Sequence, residues 1–345
     1  MLERLLVVGL GSIGLRHVRV ARKLAPGVRI TGLRHRSQPN AQPVGIDRCV
    51  TSLDEAVQWA PQAAVIANPS SHHLDVAIPL ALAGLHLLVE KPISNSTGRV
   101  SELIEASSLK RTVLMTGYNL RFSPSLQRFR QLLGEHRVGR VLTIHAEVGQ
   151  YLPTWRPGTD YRETVSAKAA LGGGVLLELS HEIDYLRWLF GEVTTVTASL
   201  RKQSNLEMDA EDTAHLTMSF AACRNDAPAL AYLTMDCIRQ DSTRTCTVVG
   251  ETGTLRWNAL SGTVELFGQG AEAWETVFEH RPRADETYEE EWRHFLSCMA
   301  DGSQATVSGH DGLAVLRIVE AARRSSTTGT TVSVGSEERM APVTA

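Results

Sequence analysis

Four apolar residues, Leu5-Leu6-Val7-Val8, run directly into Gly9-Leu10-Gly11-Ser12-Ile13-Gly14, and a helical pattern follows from 15 to 24. This stretch constrains the fold more than any other. In a strand–turn–helix unit of this spacing, Gly9 makes the tight turn and Gly11 lets the backbone approach a pyrophosphate. Gly14 allows close packing of helix on strand. The amides of Ser12 and Ile13 then face phosphate at the positive end of the helix. Glycine-rich turns are common, so the motif alone is weak. Its place directly after a strand and before a helix is the confirming context.

The chain continues in the same rhythm. Strand-like runs at 28–33, 63–67, 85–89 and 113–116 alternate with helical patterns at 52–59, 72–83 and 97–109. Ser52 is placed to cap the first of these helices, with Glu55 three residues on. Such alternation predicts an α/β Rossmann domain, a doubly wound parallel sheet, over residues 1–118. After Gly117 the pattern changes. A helix at 124–133 leads to a long strand at 140–148, and a loop rich in Pro, Trp, Arg and Gly covers 151–162. Gly172-Gly173-Gly174 opens a helix predicted to run to about residue 190, and several strands follow between 193 and 267 without helices among them. Helices near 288–299 and 311–324 close the pattern. Residues 119–335 therefore read as a C-terminal α+β domain on a mostly antiparallel open sheet, followed by a polar tail at 336–345. One face of that sheet is expected to be exposed in the monomer and covered in a homodimer or homotetramer.

Composition excludes several function classes. At 345 residues, two domains are expected. A formal net charge of −3 leaves no basic footprint for nucleic acid and no polybasic membrane patch. The N-terminus lacks the long apolar region of a signal peptide, and the stretch 76–89 is broken by Pro79, Gly84 and His86. A cytoplasmic protein is expected. Cys49, Cys223, Cys237, Cys246 and Cys298 are odd in number and form no C-x-x-C pair. They suggest scattered thiols, with neither a disulfide framework nor a metal site.

The chain resembles the glucose–fructose oxidoreductase and inositol dehydrogenase family (Gfo/Idh/MocA) over nearly its whole length. The resemblance rests on the Gly9–Gly14 turn, on Asn68-Pro69-Ser70-Ser71-His72-His73 with Ala81-Leu82-Ala83-Gly84-Leu85-His86, and on Glu90-Lys91-Pro92. It extends to Gly172-Gly173-Gly174 with His181-Glu182-Ile183-Asp184, and to the helix opening Asp311-Gly312-Leu313. Each motif is modest evidence, and their order and intervals make the case. The resemblance implies nicotinamide-cofactor binding by Gly9, Gly11, Ser12, Ile13, Gly14, Asn68, Pro69, His73, Glu90 and Lys91. It also implies an active site between the two domains.

Lys91 falls at the carboxyl end of a strand, where open α/β sheets place ligands. An ammonium there stabilises the alkoxide that develops as hydride leaves, although a surface lysine ending a strand would read the same. The family's acid/base histidine maps onto His181, and histidine suits the role because its ordinary pKa lies near working pH. Glu178, His181 and Tyr185 share one helical stripe, which on periodicity alone is a solvated face. The family carries aspartate four residues before this histidine, where this chain has Leu177. That leaves Glu178 and Asp184 as alternative orienting carboxylates. Asn119, Arg121, Trp155, Arg156, Tyr161, Arg162 and Tyr185 are candidate substrate contacts for a polyhydroxylated or anionic molecule, the junction and loop residues among them reading equally as hinge and loop packing.

Arg34 stands about 20 residues after Gly14, where an NAD enzyme carries an acid for the ribose 2′-hydroxyl. With Arg36 near it, NADP(H) is favoured over NAD(H). The expected activity is hydride transfer between the nicotinamide and a secondary alcohol or ketone of a sugar, nucleotide sugar or cyclitol, in surface-polysaccharide synthesis by likeness of the Trp-Arg-Pro-Gly loop. A non-catalytic cofactor-binding regulator and a tetrapyrrole or imine reductase are the alternatives.

Overall fold

A computed structural model describes residues 2–34, 43–221 and 229–335. Arg36, Cys223 and the polar tail lie outside the described residues. The first domain runs β1 (Arg4–Val8), α1 (Ser12–Leu24), β2 (Arg29–Leu33), β3 (Arg48–Val50), α2 (Leu53–Gln58), β4 (Ala63–Ile66), α3 (His73–Leu82), β5 (His86–Glu90), α4 (Val100–Lys110) and β6 (Leu114–Gly117). Its six strands stand in the order β3-β2-β1-β4-β5-β6, and all their pairings are parallel. The central strands are buried on both faces, which is why they read as unbroken apolar runs. The order reverses between β1 and β4, so the ligand crevice opens where the Gly9 turn meets Ala67 and Asn68. Periodicity missed β3, a three-residue edge strand too short to show any. Ser52 precedes α2 as expected, yet its hydroxyl makes no capping hydrogen bond.

The second part comprises α5 (Pro124–Gly134), β7 (Val141–Gly149), α6 (Val175–Glu178), α7 (His181–Phe190), β8 (Val193–Arg201), β9 (Thr213–Phe220), β10 (Leu230–Asp236), β11 (Thr243–Gly250), β12 (Gly253–Asn258), β13 (Thr263–Gly268) and β14 (Glu275–Glu279). Then follow α8 (Glu286–Asp301), α9 (Gly309–Thr328) and β15 (Val332–Ser333). The nine strands stand in the order β14-β13-β12-β11-β7-β10-β9-β8-β15, with β7 and β10 the parallel pair. Alternate residues of β7 and β10 face the core, among them Ile144, Ala146, Ala231 and Leu233.

The opposite face differs from expectation. It carries Thr217, Thr234, Thr245 and Thr247, with His145 stacked on the exposed Tyr232 at 5.3 Å. It is a polar face, so its coverage does not follow from exposed apolar area. No described helix is long and apolar enough to cross a membrane.

The two sheets divide near residue 118, but the chain returns across that line. Trp292, Phe295 and Cys298 of α8 pack in one core cluster with Leu5, Val7 and Val18. The Thr116 amide donates to the Val307 carbonyl at 2.9 Å, and Gly312 leaves room for Ile93 and Thr116 beneath the first turn of α9. The C-terminal segment thus forms one wall of the nucleotide domain.

Candidate active site

Gly9 has φ +84°, and a Cβ there would stand 2.6 Å from the Ala67 carbonyl oxygen and the Asn68 amide. A Cβ on Gly14 would stand 1.9 Å from the Gly9 carbonyl, whereas one on Gly11 meets nothing within 4 Å. The turn is therefore closed against the protein and open at Gly11. The first turn of α1 has no acidic residue and no side-chain cap, which leaves its amides for an anion. Across the crevice, Asn68 is held by its own loop: its Nδ2 donates to the His72 carbonyl, and its carbonyl faces His73 Nε2 at 2.8 Å. Asn68 Oδ1 is buried without a partner. Pro69 begins the 3-10 turn Ser70–His72 beside it. Room at Gly11, uncommitted amides and an unpartnered polar atom fit a dinucleotide.

Lys91 follows β5, and its peptide bond to Pro92 is cis. Its Nζ donates to the Glu178 carbonyl at 2.6 Å and lies 3.9 Å from Glu178 Oε2. Ser166 Oγ donates to Glu178 Oε1 at 3.0 Å, and Arg156 Nη1 donates to Ser166 Oγ at 3.2 Å. The loop thus reaches the lysine through a serine that carried no sequence signal.

The helix expected from Gly174 to residue 190 is two helices. It breaks at Leu179 and Ser180, and the buried Ser180 accepts from the Tyr118 hydroxyl at 3.3 Å. The break places His181 in the first turn of α7, with the Tyr118 ring edge-on at 5.6 Å. Burial pushes the His181 imidazole well below its ordinary value, and the charges of Lys91 and Arg244 push the same way. His181 Nδ1 is buried without a partner. Next to it, the wholly buried Glu182 pairs with Arg244 of β11 at 2.8 Å, and burial holds the Glu182 carboxyl up. Glu182 lies inside the His181-Glu182-Ile183-Asp184 motif, but its place there signals no role by itself. Arg244 could not be found from sequence, because strand pairing alone brings it here.

Several expected site residues are elsewhere. Asp184 does not orient His181: three residues on, it faces the domain junction, where Arg121 donates to both its oxygens at 2.9 and 2.6 Å. Arg121 is 4% exposed and also pairs with Asp311, which Arg187 holds at 2.9 Å. It is therefore structural. Tyr185 is fully buried, edge-on to Trp257 at 5.4 Å, so the polar stripe is no solvated face. Asn119 is buried and donates to Thr287 Oγ1 at 2.8 Å. Glu90 accepts from His17 at Oε1 and from the Lys91 amide at Oε2. Trp155 donates to the Gln150 carbonyl and Tyr161 accepts from the Glu207 amide, both as loop packing. Arg162 is exposed and tied to Asp160 and Glu207. Arg156 is the loop arginine that the fold brings to the lysine. Arg34 begins the connection after β2, its amide donating to the Val50 carbonyl.

A dinucleotide crevice with a lysine at a strand end and a neutral histidine beside it is the layout of a nicotinamide-dependent oxidoreductase. Residues 4–118 match the oxidoreductase-family NAD-binding Rossmann fold, and residues 130–334 match the C-terminal alpha/beta domain of the same family. The chain belongs to the Gfo/Idh/MocA oxidoreductase family and is a dehydrogenase with an NAD-binding domain.

Inositol 2-dehydrogenase 2 of Saccharopolyspora erythraea is 25% identical, aligned over 95% of this chain and 94% of that protein. Levoglucosan dehydrogenase in complex with NADH and levoglucosan superposes with a TM-score of 0.82 at 22% identity, covering 96% of this chain and 99% of that one. The WlbA dehydrogenase from Bordetella pertussis, in complex with NADH and UDP-GlcNAcA, gives 0.80 at 22% identity, with 96% and 99% covered. At these identities the structural likenesses establish the fold.

Proposed function

We propose that the protein transfers hydride between C4 of a nicotinamide and a secondary alcohol or ketone of a sugar, sugar derivative or cyclitol. The observation that carries this reading is the convergence of Lys91, held by Glu178, with His181, whose imidazole feels the Lys91 charge and is held well below its ordinary value. When bound, the nicotinamide supplies the hydride acceptor. In the oxidising direction, the Lys91 ammonium donates to the substrate oxygen and stabilises its developing charge. The neutral His181 imidazole takes the hydroxyl proton as the carbon loses hydride, and returns it in the reverse reaction. Glu178 fixes Lys91 through its carbonyl and carboxylate.

NADP(H) is the favoured form. Arg34 at the end of β2 stands where an acid would repel a 2′-phosphate. Arg156 beside Glu178 supports a substrate bearing an acidic or nucleotide group, of the kind used in surface-polysaccharide synthesis. The chain assembles as a homodimer or homotetramer through the open face of the nine-stranded sheet, and a monomer mass in light scattering at micromolar concentration would refute this. The function is tested by following reduced-nicotinamide absorbance over a panel of sugars, inositols and nucleotide sugars with each cofactor. Absence of any turnover would favour the regulator reading.

A further inference from the structure

We infer that His17 is a positioning residue for Lys91, tying the lysine-bearing turn to helix α8 through Glu90 and Trp292. His17 lies on α1, fully buried. The Trp292 indole N–H, which can only donate, points at His17 Nδ1 at 2.9 Å. Nδ1 is therefore the acceptor and the ring proton sits on Nε2. Nε2–H donates to Glu90 Oε1 at 2.7 Å, and Glu90 Oε2 accepts the Lys91 backbone N–H at 3.0 Å. Every link in this chain has a forced direction, from the indole to the amide of the lysine. Gly117 at the end of β6 leaves room for the Glu90 backbone beside it, since a Cβ there would stand 3.2 Å from Glu90 Cα.

Burial pushes the Glu90 carboxyl up, and the hydrogen bond from His17, the Lys91 charge and the Lys91 amide pull it down. Among the described residues, His17 and the Lys91 amide are the donors that reach it. Glu291, next to Trp292, is fully buried with both oxygens unpartnered. Burial and the Glu90 charge push its carboxyl well above its ordinary value. Tyr288 and His17 meet edge to face at 5.7 Å, and the Arg16 guanidinium lies over the Tyr288 ring at 4.9 Å. A buried carboxylate that loses a donor must protonate or turn, and either change alters its hold on the Lys91 amide.

The turnover part of the test rests on the proposed reaction, and the spectroscopic part does not. The chain's lysines are Lys23, Lys91, Lys110, Lys168 and Lys202, so the 15Nζ resonance of Lys91 in lysine-labelled apoprotein is assigned by its loss in Lys91→Met. His17→Leu should shift that resonance and lower kcat roughly tenfold to a hundredfold, with the cofactor KM changing less than about threefold. His17→Gln supplies an N–H donor group and a carbonyl acceptor without titrating, and should restore the resonance and most of kcat. Trp292→Phe keeps a ring while removing the indole donor; it should move both readouts in the same direction, and it carries the test if the leucine variant does not fold. An unmoved Lys91 resonance in folded His17→Leu, or glutamine as damaging as leucine, would overturn the inference.

Discussion

Arg121 distinguishes a substrate arginine from a structural one, and the structure sets the size of the effect. Its guanidinium donates to both Asp184 oxygens, lies 3.1 Å from Asp311 and donates to the Thr306 carbonyl. Arg121 is 4% exposed and the Asp184 side chain 1%. Arg121→Met keeps most of the side-chain volume but leaves the buried Asp184 carboxyl without its partner, so that it must bear an unpaired charge or take up a proton. Removing one partner of such a pair costs about 3–5 kcal/mol. With an unfolding entropy of about 2.1 cal/mol/K per residue, cooperative melting of this chain carries about 0.7 kcal/mol/K. The melting midpoint should therefore fall by about 4–7 °C. Adding Asp184→Leu removes the stranded carboxyl and should recover part of that loss, while Asp311 keeps Arg187 at 2.9 Å. The assay is calorimetry at neutral pH beside steady-state kinetics. An unchanged midpoint with a raised substrate KM would refute the reasoning and return Arg121 to the substrate site.

His181→Ala should lower turnover by roughly 10²–10⁴-fold with cofactor binding intact. Lys91→Ala should do similar damage, and the double variant should lose less than the sum, measured by single-turnover kinetics. Because the His181 imidazole is held well below its ordinary value, it stays unprotonated as pH falls through 6.5. The oxidation kcat/KM should then show no break between about pH 6 and 7 and should fall only at more acid pH, and a break at the ordinary histidine value would contradict this. Arg34→Asp should weaken NADP binding on the order of tenfold to a hundredfold, the worth of one charge-assisted hydrogen bond, and leave NAD binding equal or better. Titration of both cofactors by fluorescence checks it, and two unshifted constants would remove Arg34 from the site.

What the sequence determined by itself is local in origin. The Gly9–Gly14 turn, the parallel Rossmann sheet, the antiparallel second sheet, and Lys91 at a strand end could all be read from it. Apolar runs report strands buried on both faces, and a glycine with φ +84° closed against Ala67 reports a turn that other residues enter only with strain. Tertiary structure alone decided which polar groups meet. His181 heads α7 because the helix breaks at Ser180, which Tyr118 meets from 62 residues away. Asp184 and Arg121 close the domain junction, and Trp292 returns 275 residues to grip His17. Such pairs leave no periodic trace, because a hydrogen bond between distant segments depends on where the folded backbone places two side chains. The same limit hides from the sequence that Glu90 accepts from His17 and from the Lys91 amide.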